Sequence, residues 1–168
     1  MQDSINDEDI YKWLSVVTDP EVPVLTILDL GVVRNVAVSE NAEGEKEATI
    51  IITPTYSGCP AMDVIAINIR MALMSRGIKR VNIENQLSPA WTTDWMSEGG
   101  KRKLKEYGIV PPVRTAENMP GLFEEDLVNC PRCGSAETLL VSQFGATSCK
   151  ALYKCNSCHE PFEHFKCH

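Results

Sequence analysis

Apolar and polar positions change period several times along the first half of the chain, and each change marks an element. Ile10, Trp13, Leu14 and Val17 recur at helical spacing behind the capping residues Ser4 and Asn6 and an acidic first turn. This predicts an amphipathic helix over 4–17 that buries one stripe. It stops at Asp19-Pro20, and the two prolines of Asp19-Pro20-Glu21-Val22-Pro23-Val24 forbid regular structure there. Residues 32–39 alternate as a strand, with Val36 and Val38 on one face, and the polar stretch 41–46 turns the chain back into a second strand at 47–53. Residues 61–76 are strong helix material, closed by Gly77. That helix is apolar around most of its circumference, which predicts a central core helix. A third strand follows at 81–87. Strand, helix and strand make a βαβ unit, so these two strands pair in parallel. A last helix starts at Thr92-Thr93-Asp94-Trp95, runs to Tyr107 and stops at Gly108.

The loop before the core helix carries the first candidate chemistry. Thr53-Pro54-Thr55-Tyr56-Ser57-Gly58-Cys59-Pro60 can continue neither strand nor helix. Pro60 suits a first helical turn, where its missing N–H is no loss. Cys59 is thereby expected at the N-cap, facing the positive end of the helix dipole. A thiolate there is stabilised, which would lower its pKa and raise its nucleophilicity or metal affinity. An inert, buried cysteine acting as a small apolar residue fits the same position. Asp19 and Glu21 read, from spacing alone, as solvated charges at a helix stop.

Length and charge narrow the classes. The 168 residues allow one ordinary domain and a small module. With 43% hydrophobic and 23% charged residues, a sizeable core is available. A net charge of −7 argues against a polyanion binder, because nucleic-acid affinity rests on phosphate neutralisation by Lys and Arg. No run of about 18 apolar residues occurs, so no membrane span is expected. The acidic start, unlike a signal or transit peptide, leads us to expect a cytoplasmic protein.

Six of the seven cysteines lie after residue 129, without an export signal, which reads as metal ligation and not as a disulfide framework. Cys130-Pro131-Arg132-Cys133 and Cys155-Asn156-Ser157-Cys158 form two C-x-x-C knuckles with 21 residues between them. Strands at 138–144 and 151–154 would bring them together. This is zinc-ribbon spacing, and a tetrahedral four-cysteine zinc site would stabilise a module of about 40 residues that has too little core of its own. An iron–sulfur cluster on the same four thiolates is the rival. Cys149, His159, His164, Cys167 and His168 are spare donors; Cys149 is expected to serve packing. The expected division is a domain over 1–112, a linker over 113–127 and the four-cysteine module over 128–168. The fold class is α+β: a small mixed three-stranded sheet with packed helices in the order αββαβα, plus a C-terminal zinc-ribbon-like module.

Several blocks resemble a known family. Asp19-Pro20-Glu21-Val22-Pro23-Val24, followed by Ile27-Leu28-Asp29-Leu30-Gly31-Val32-Val33, is similar to the signature of SufT-like proteins that serve iron–sulfur assembly. The loop ending in Cys59-Pro60 carries that family's cysteine. Leu87 through Met96, Lys105-Glu106-Tyr107-Gly108-Ile109 before Pro111-Pro112, and the tail from Phe144-Gly145 through Glu160-Pro161-Phe162 to Cys167 narrow the match. Together they resemble the PaaD (also PaaJ) accessory family of bacterial phenylacetyl-CoA epoxidases. The resemblance implies a compact α/β domain with a metal-binding tail. It implies a role in maturing the epoxidase, with subunits of that enzyme or its reductase and the iron–sulfur assembly machinery as partners. Cys59 corresponds to the family's reactive thiol, with Asp19 and Glu21 in the neighbouring loop, where a transient iron–sulfur cluster would be handled; a homodimer interface is one place for it. The alternative is a non-catalytic structural or regulatory subunit that docks on the oxygenase. A thiol enzyme is disfavoured, since all three histidines lie in the tail and no general base is evident in the main domain. No catalytic residue is assigned.

Overall fold

The computed structural model describes residues 5–112 and 128–166. The chain divides into two compact units, 1–97 and 98–168. The expected linker at 113–127, Ser4, Cys167 and His168 lie outside the described residues.

In the first unit, helix α1 (Asp7–Leu14) is shorter than its apolar pattern predicts. Asn6 caps it, and Asn6 and Asp9 exchange side-chain bonds to each other's backbone N–H at 3.1 Å, closing a capping box. Strand β1 (Val33–Glu40) pairs antiparallel with β2 (Lys46–Ile52), and β2 pairs in parallel with β3 (Arg80–Asn85) across helix α2 (Ala61–Met74). The sheet order β1-β2-β3 is the expected mixed sheet. Ala48, Ile50 and Ile52 of β2 face the core, where Ile65, Ile69 and Leu73 of α2 and Ile10 and Leu14 of α1 are also buried. Each such large aliphatic side chain contributes about 1.5–3 kcal/mol on leaving water. Helix α2 is not buried all round, contrary to what its composition predicts: Val64, Ile67, Met71 and Met74 are exposed.

Gly31 explains how the chain passes from the irregular stretch after α1 into β1. Its φ is +69°, and a Cβ there would lie 2.2 Å from the carbonyl oxygen of Trp95. Trp91 is buried against this corner and donates its Nε1–H to the Leu30 carbonyl at 2.8 Å. The expected continuous helix from Thr92 is broken. A 3-10 turn over Thr93–Trp95, capped by Thr92, ends at an extended Met96. Ser97 then donates its N–H to the Asp29 carbonyl at 2.8 Å and its hydroxyl to Asp29 Oδ1 at 3.1 Å. This tertiary anchoring overrides helix propensity.

The second unit begins with helix α3 (Glu98–Tyr107), ended by Gly108 at φ +88°, and so takes in residues that the sequence groups with the first domain. Strands β4 (Ile109–Val110), β5 (Thr138–Ser142), β6 (Lys150–Cys155) and β7 (Pro161–Phe165) form a sheet in the order β4-β7-β6-β5. β4 is too short to show a period, and β7 carries a proline at its first residue; neither is predicted from sequence. Val128, Ala151, Tyr153 and Phe162 form the small core, with the Tyr153 and Phe162 rings stacked at 5.8 Å. Cys149 is buried beside Thr147, its sulfur 3.0 Å from the hydroxyl, in keeping with a packing role. No helix among the described residues is long and apolar enough to cross a membrane.

Candidate functional site and cysteine metal centre

Two sites follow from the sequence, one in each unit. In the first unit the Asp19–Val22 loop is pinned at both ends. Ile27 N–H donates to the Val17 carbonyl, Asp19 N–H donates to the Leu25 carbonyl, both at 2.9 Å, and Val22, Leu25 and Ile27 are buried. Asp19 Oδ1 accepts the N–H groups of Glu21 at 2.7 Å and Val22 at 2.9 Å. The two prolines remove competing donors, and the carboxylate organises the turn. Asp19 is therefore buried and not a solvated charge; Glu21 is half-buried.

Cys59 follows Gly58, whose φ of +78° turns the loop into α2. The N-cap is Pro60, already in helical conformation, so Cys59 stands one residue before the cap and not at it, the position expected from the sequence. Its own carbonyl accepts the Met62 N–H at 3.2 Å. The sulfur is hydrogen-bonded by the Tyr56 side chain and the Ala61 backbone N–H. The predicted fall in its pKa does not occur. Burial pushes the thiol above its ordinary 9.0; the bonds from Tyr56 and Ala61 oppose this, and the negative fields of Glu21 and Asp19 add to it. At 8% exposure Cys59 is largely enclosed, yet its surroundings are polar and acidic as well as apolar. Sequence reasoning misses Tyr56, although its i, i+3 spacing to Cys59 could have flagged it. Among the described residues, Cys59, Asp19 and Glu21 do not converge tightly enough to make a metal-holding group on their own.

The second unit holds the group that does converge. The ligand sulfurs of Cys130, Cys133, Cys155 and Cys158 all lie within 4.8 Å of one another. Cys130 Sγ is 3.7 Å from Cys158 Sγ, and Cys133 Sγ is 3.6 Å from Cys155 Sγ. Bonds of about 2.3 Å to one tetrahedral ion would set the sulfurs about 3.8 Å apart, so the donor set fits a single metal ion. The two knuckles repeat one backbone design. Cys130 N–H bonds the Ser135 carbonyl at 2.9 Å, and Cys155 N–H bonds the Glu160 carbonyl at 3.0 Å. The residue after each second cysteine, Gly134 or His159, takes a positive φ of 75° or 64°. Ser135 and Ser157 brace the knuckles through their hydroxyls at 2.8 Å, and Arg132 pairs with Glu160. The sequence gives no hint of these braces.

Protons distribute unevenly over the four thiols. Backbone N–H groups of Cys133 and Arg132 lower Cys130, and those of Cys158 and Ser157 lower Cys155 to about 6. For Cys133 the Ser135 N–H pulls down, but the Cys155 sulfur and burial win and the pKa rises. For Cys158 the Glu160 N–H pulls down, but burial and the sulfurs of Cys155, Cys130 and Cys133 push it up to about 12. One thiolate per knuckle is favoured, and a bound cation would expel the remaining protons.

Fold and site together define a class: an α+β unit of the iron–sulfur assembly type joined to a four-cysteine β-ribbon. Residues 7–84 match the family model described as an iron–sulfur cluster assembly protein, and residues 115–166 match the PaaD zinc beta ribbon domain. The chain is 50% identical, over 95% of its length and 92% of the relative's, to a putative 1,2-phenylacetyl-CoA epoxidase subunit of Escherichia coli strain K12. The chain belongs to the PaaD family. It is also 42% identical, over 58% of its length and 90% of the relative's, to an Fe-S protein maturation auxiliary factor of Porphyromonas gingivalis. Among solved structures, a domain of unknown function, DUF59, from Bacillus anthracis superposes with a TM-score of 0.52 at 28% identity, covering 58% of this chain and 90% of that one.

Proposed function

We propose that the chain is an accessory factor that matures an iron or iron–sulfur centre of a phenylacetyl-CoA epoxidase in the cytoplasm, without catalysing the epoxidation. The observation that carries this reading is a largely buried cysteine, Cys59, just before α2 that feels the negative fields of two carboxylates, Asp19 and Glu21, from a separate loop. The names of the relatives in Escherichia coli and Porphyromonas gingivalis support it. One thiol and two carboxylates are a partial ligand set, suited to holding iron or a cluster briefly as cargo. The client subunit or the assembly machinery would supply the missing donors. The thiol is protonated at neutral pH, so loading cargo there releases a proton to solvent.

In the tail, Cys130, Cys133, Cys155 and Cys158 would hold a structural zinc. Their separations of 3.6 and 3.7 Å support one ion over a polynuclear cluster, which would put irons and sulfides between the thiolates. Zinc there supplies a cross-link between two knuckles whose shared core is small.

A second reading draws on the raised Cys59 pKa. A protonated, packed thiol also suits a structural or regulatory subunit that docks on the oxygenase and transfers nothing. Maturing the epoxidase beside the Cys59→Ser variant separates the two. The variant should keep its circular dichroism and its tail metal, while the epoxidase loses about tenfold or more of its iron content and activity. Normal iron and activity would replace maturation by scaffolding.

A further inference from the structure

Along α2 the side chains of Val64, Ile67, Met71 and Met74 are between 43% and 66% exposed and form one stripe. Asp63 and Arg70, also exposed, lie on one flank of that stripe. Positions seven apart sit almost above one another on a helix, so these two charges share a flank, and Val64 and Met71 share the opposite flank. Asp63 and Arg70 stand about 10 Å apart along their own helix and cannot pair with each other. Among the described residues neither has an ion-pair partner.

We infer that this face is the contact between two copies of the chain, paired through antiparallel α2 helices about a two-fold axis near Ile67. The charge pattern selects this occupant and this direction. A two-fold axis that relates antiparallel helices brings like flanks together. Asp63 then meets the partner's Arg70, and the same contact repeats on the other side of the axis. Val64 meets the partner's Met71, and Ile67 lies at the centre against its own copy. A parallel pairing would bring unlike flanks together and set both charges against apolar side chains, with no partner for either. The antiparallel arrangement also opposes the two helix dipoles. Unbranched methionines at two of the four apolar positions let the seam adjust.

The geometry has a consequence for Cys59. It lies eight positions from the axis along each chain, so the two sulfurs sit roughly 24 Å apart along the pair. The dimer does not share one cluster between two Cys59 thiols; each site acts alone.

Sedimentation velocity on the full chain with its tail metal bound, over a series spanning micromolar concentrations, tests the pairing. The unmodified chain should form a reversible dimer. Asp63→Arg or Arg70→Asp alone should weaken it about tenfold or more, because like charges then face each other twice. The double variant D63R/R70D should recover to within about threefold of the original, since the exchanged charges are again complementary. Ile67→Glu, with unchanged circular dichroism, should be monomeric. A monomer at all concentrations, a dimer indifferent to Ile67→Glu or to the single reversals, or a double variant no better than the singles would overturn the inference. So would a monomer whose Ile67 face binds an epoxidase subunit instead.

Discussion

At Gly31 the backbone adopts φ +69° and comes so close to Trp95 that even a methyl group meets its carbonyl oxygen at 2.2 Å. Gly31→Ala should therefore destabilise the first unit by about 3 kcal/mol, through a strained left-handed residue and an overpacked corner. Thermal unfolding of the variant checks this. A loss below about 1 kcal/mol would mean that the Trp91–Trp95 segment simply moves away. Cys59 offers a test of electrostatics. Only the thiolate alkylates, so a raised pKa puts the midpoint of its labelling rate above pH 9.0, the ordinary value. Glu21→Gln removes one negative neighbour and should shift that midpoint downward. Labelling followed residue by residue by mass spectrometry reports both; a midpoint below 9.0 would mean that the helix dipole outweighs burial. The residue type and loop of Cys59 were legible from Gly58, Pro60 and the helix behind them. Its protonation was not, because burial is a property of the assembled core. Asp19 shows the same limit, since a helix stop between prolines gives no sign that its carboxylate will organise a buried turn.

Elements were legible in proportion to their length and periodicity. α2, β1, β2 and β3 fall within a few residues of their predicted bounds, and the parallel pairing of β2 with β3 follows from the helix between them. The break at Met96 was invisible, because Asp29 imposes it from a distant loop. β4 was invisible because two residues carry no period, and only pairing with β7 makes them a strand. The knuckles were fully legible from C-x-x-C spacing. Chelation of the metal from the full chain should release about one ion and abolish amide-exchange protection over β5 to β7, because a core this small cannot offset the entropy of ordering the ribbon. The first unit, with its own core of aliphatic residues, should keep its protection. Retained protection in β5 to β7 after complete metal removal would show that the ribbon stands without its ion.

The whole molecule combines a closed four-thiol centre with an incomplete set of donors around Cys59, and the two differ in what they can surrender. On the proposed function, four converging sulfurs would hold an ion tightly, whereas one thiol with two carboxylates would hold cargo loosely. Composition and charge indicated no more than an acidic globular chain; the proposed division of labour between the units rests on where the donors lie. Metal and sulfide analysis after anaerobic exposure of the full chain to ferrous iron, alone and with sulfide, is the most direct test. The account predicts a labile iron fraction beyond the tail metal that disappears in Cys59→Ser and falls in Glu21→Gln, while the tail metal stays bound. Iron uptake that is absent from the unmodified chain, or unchanged by Cys59→Ser, would contradict it.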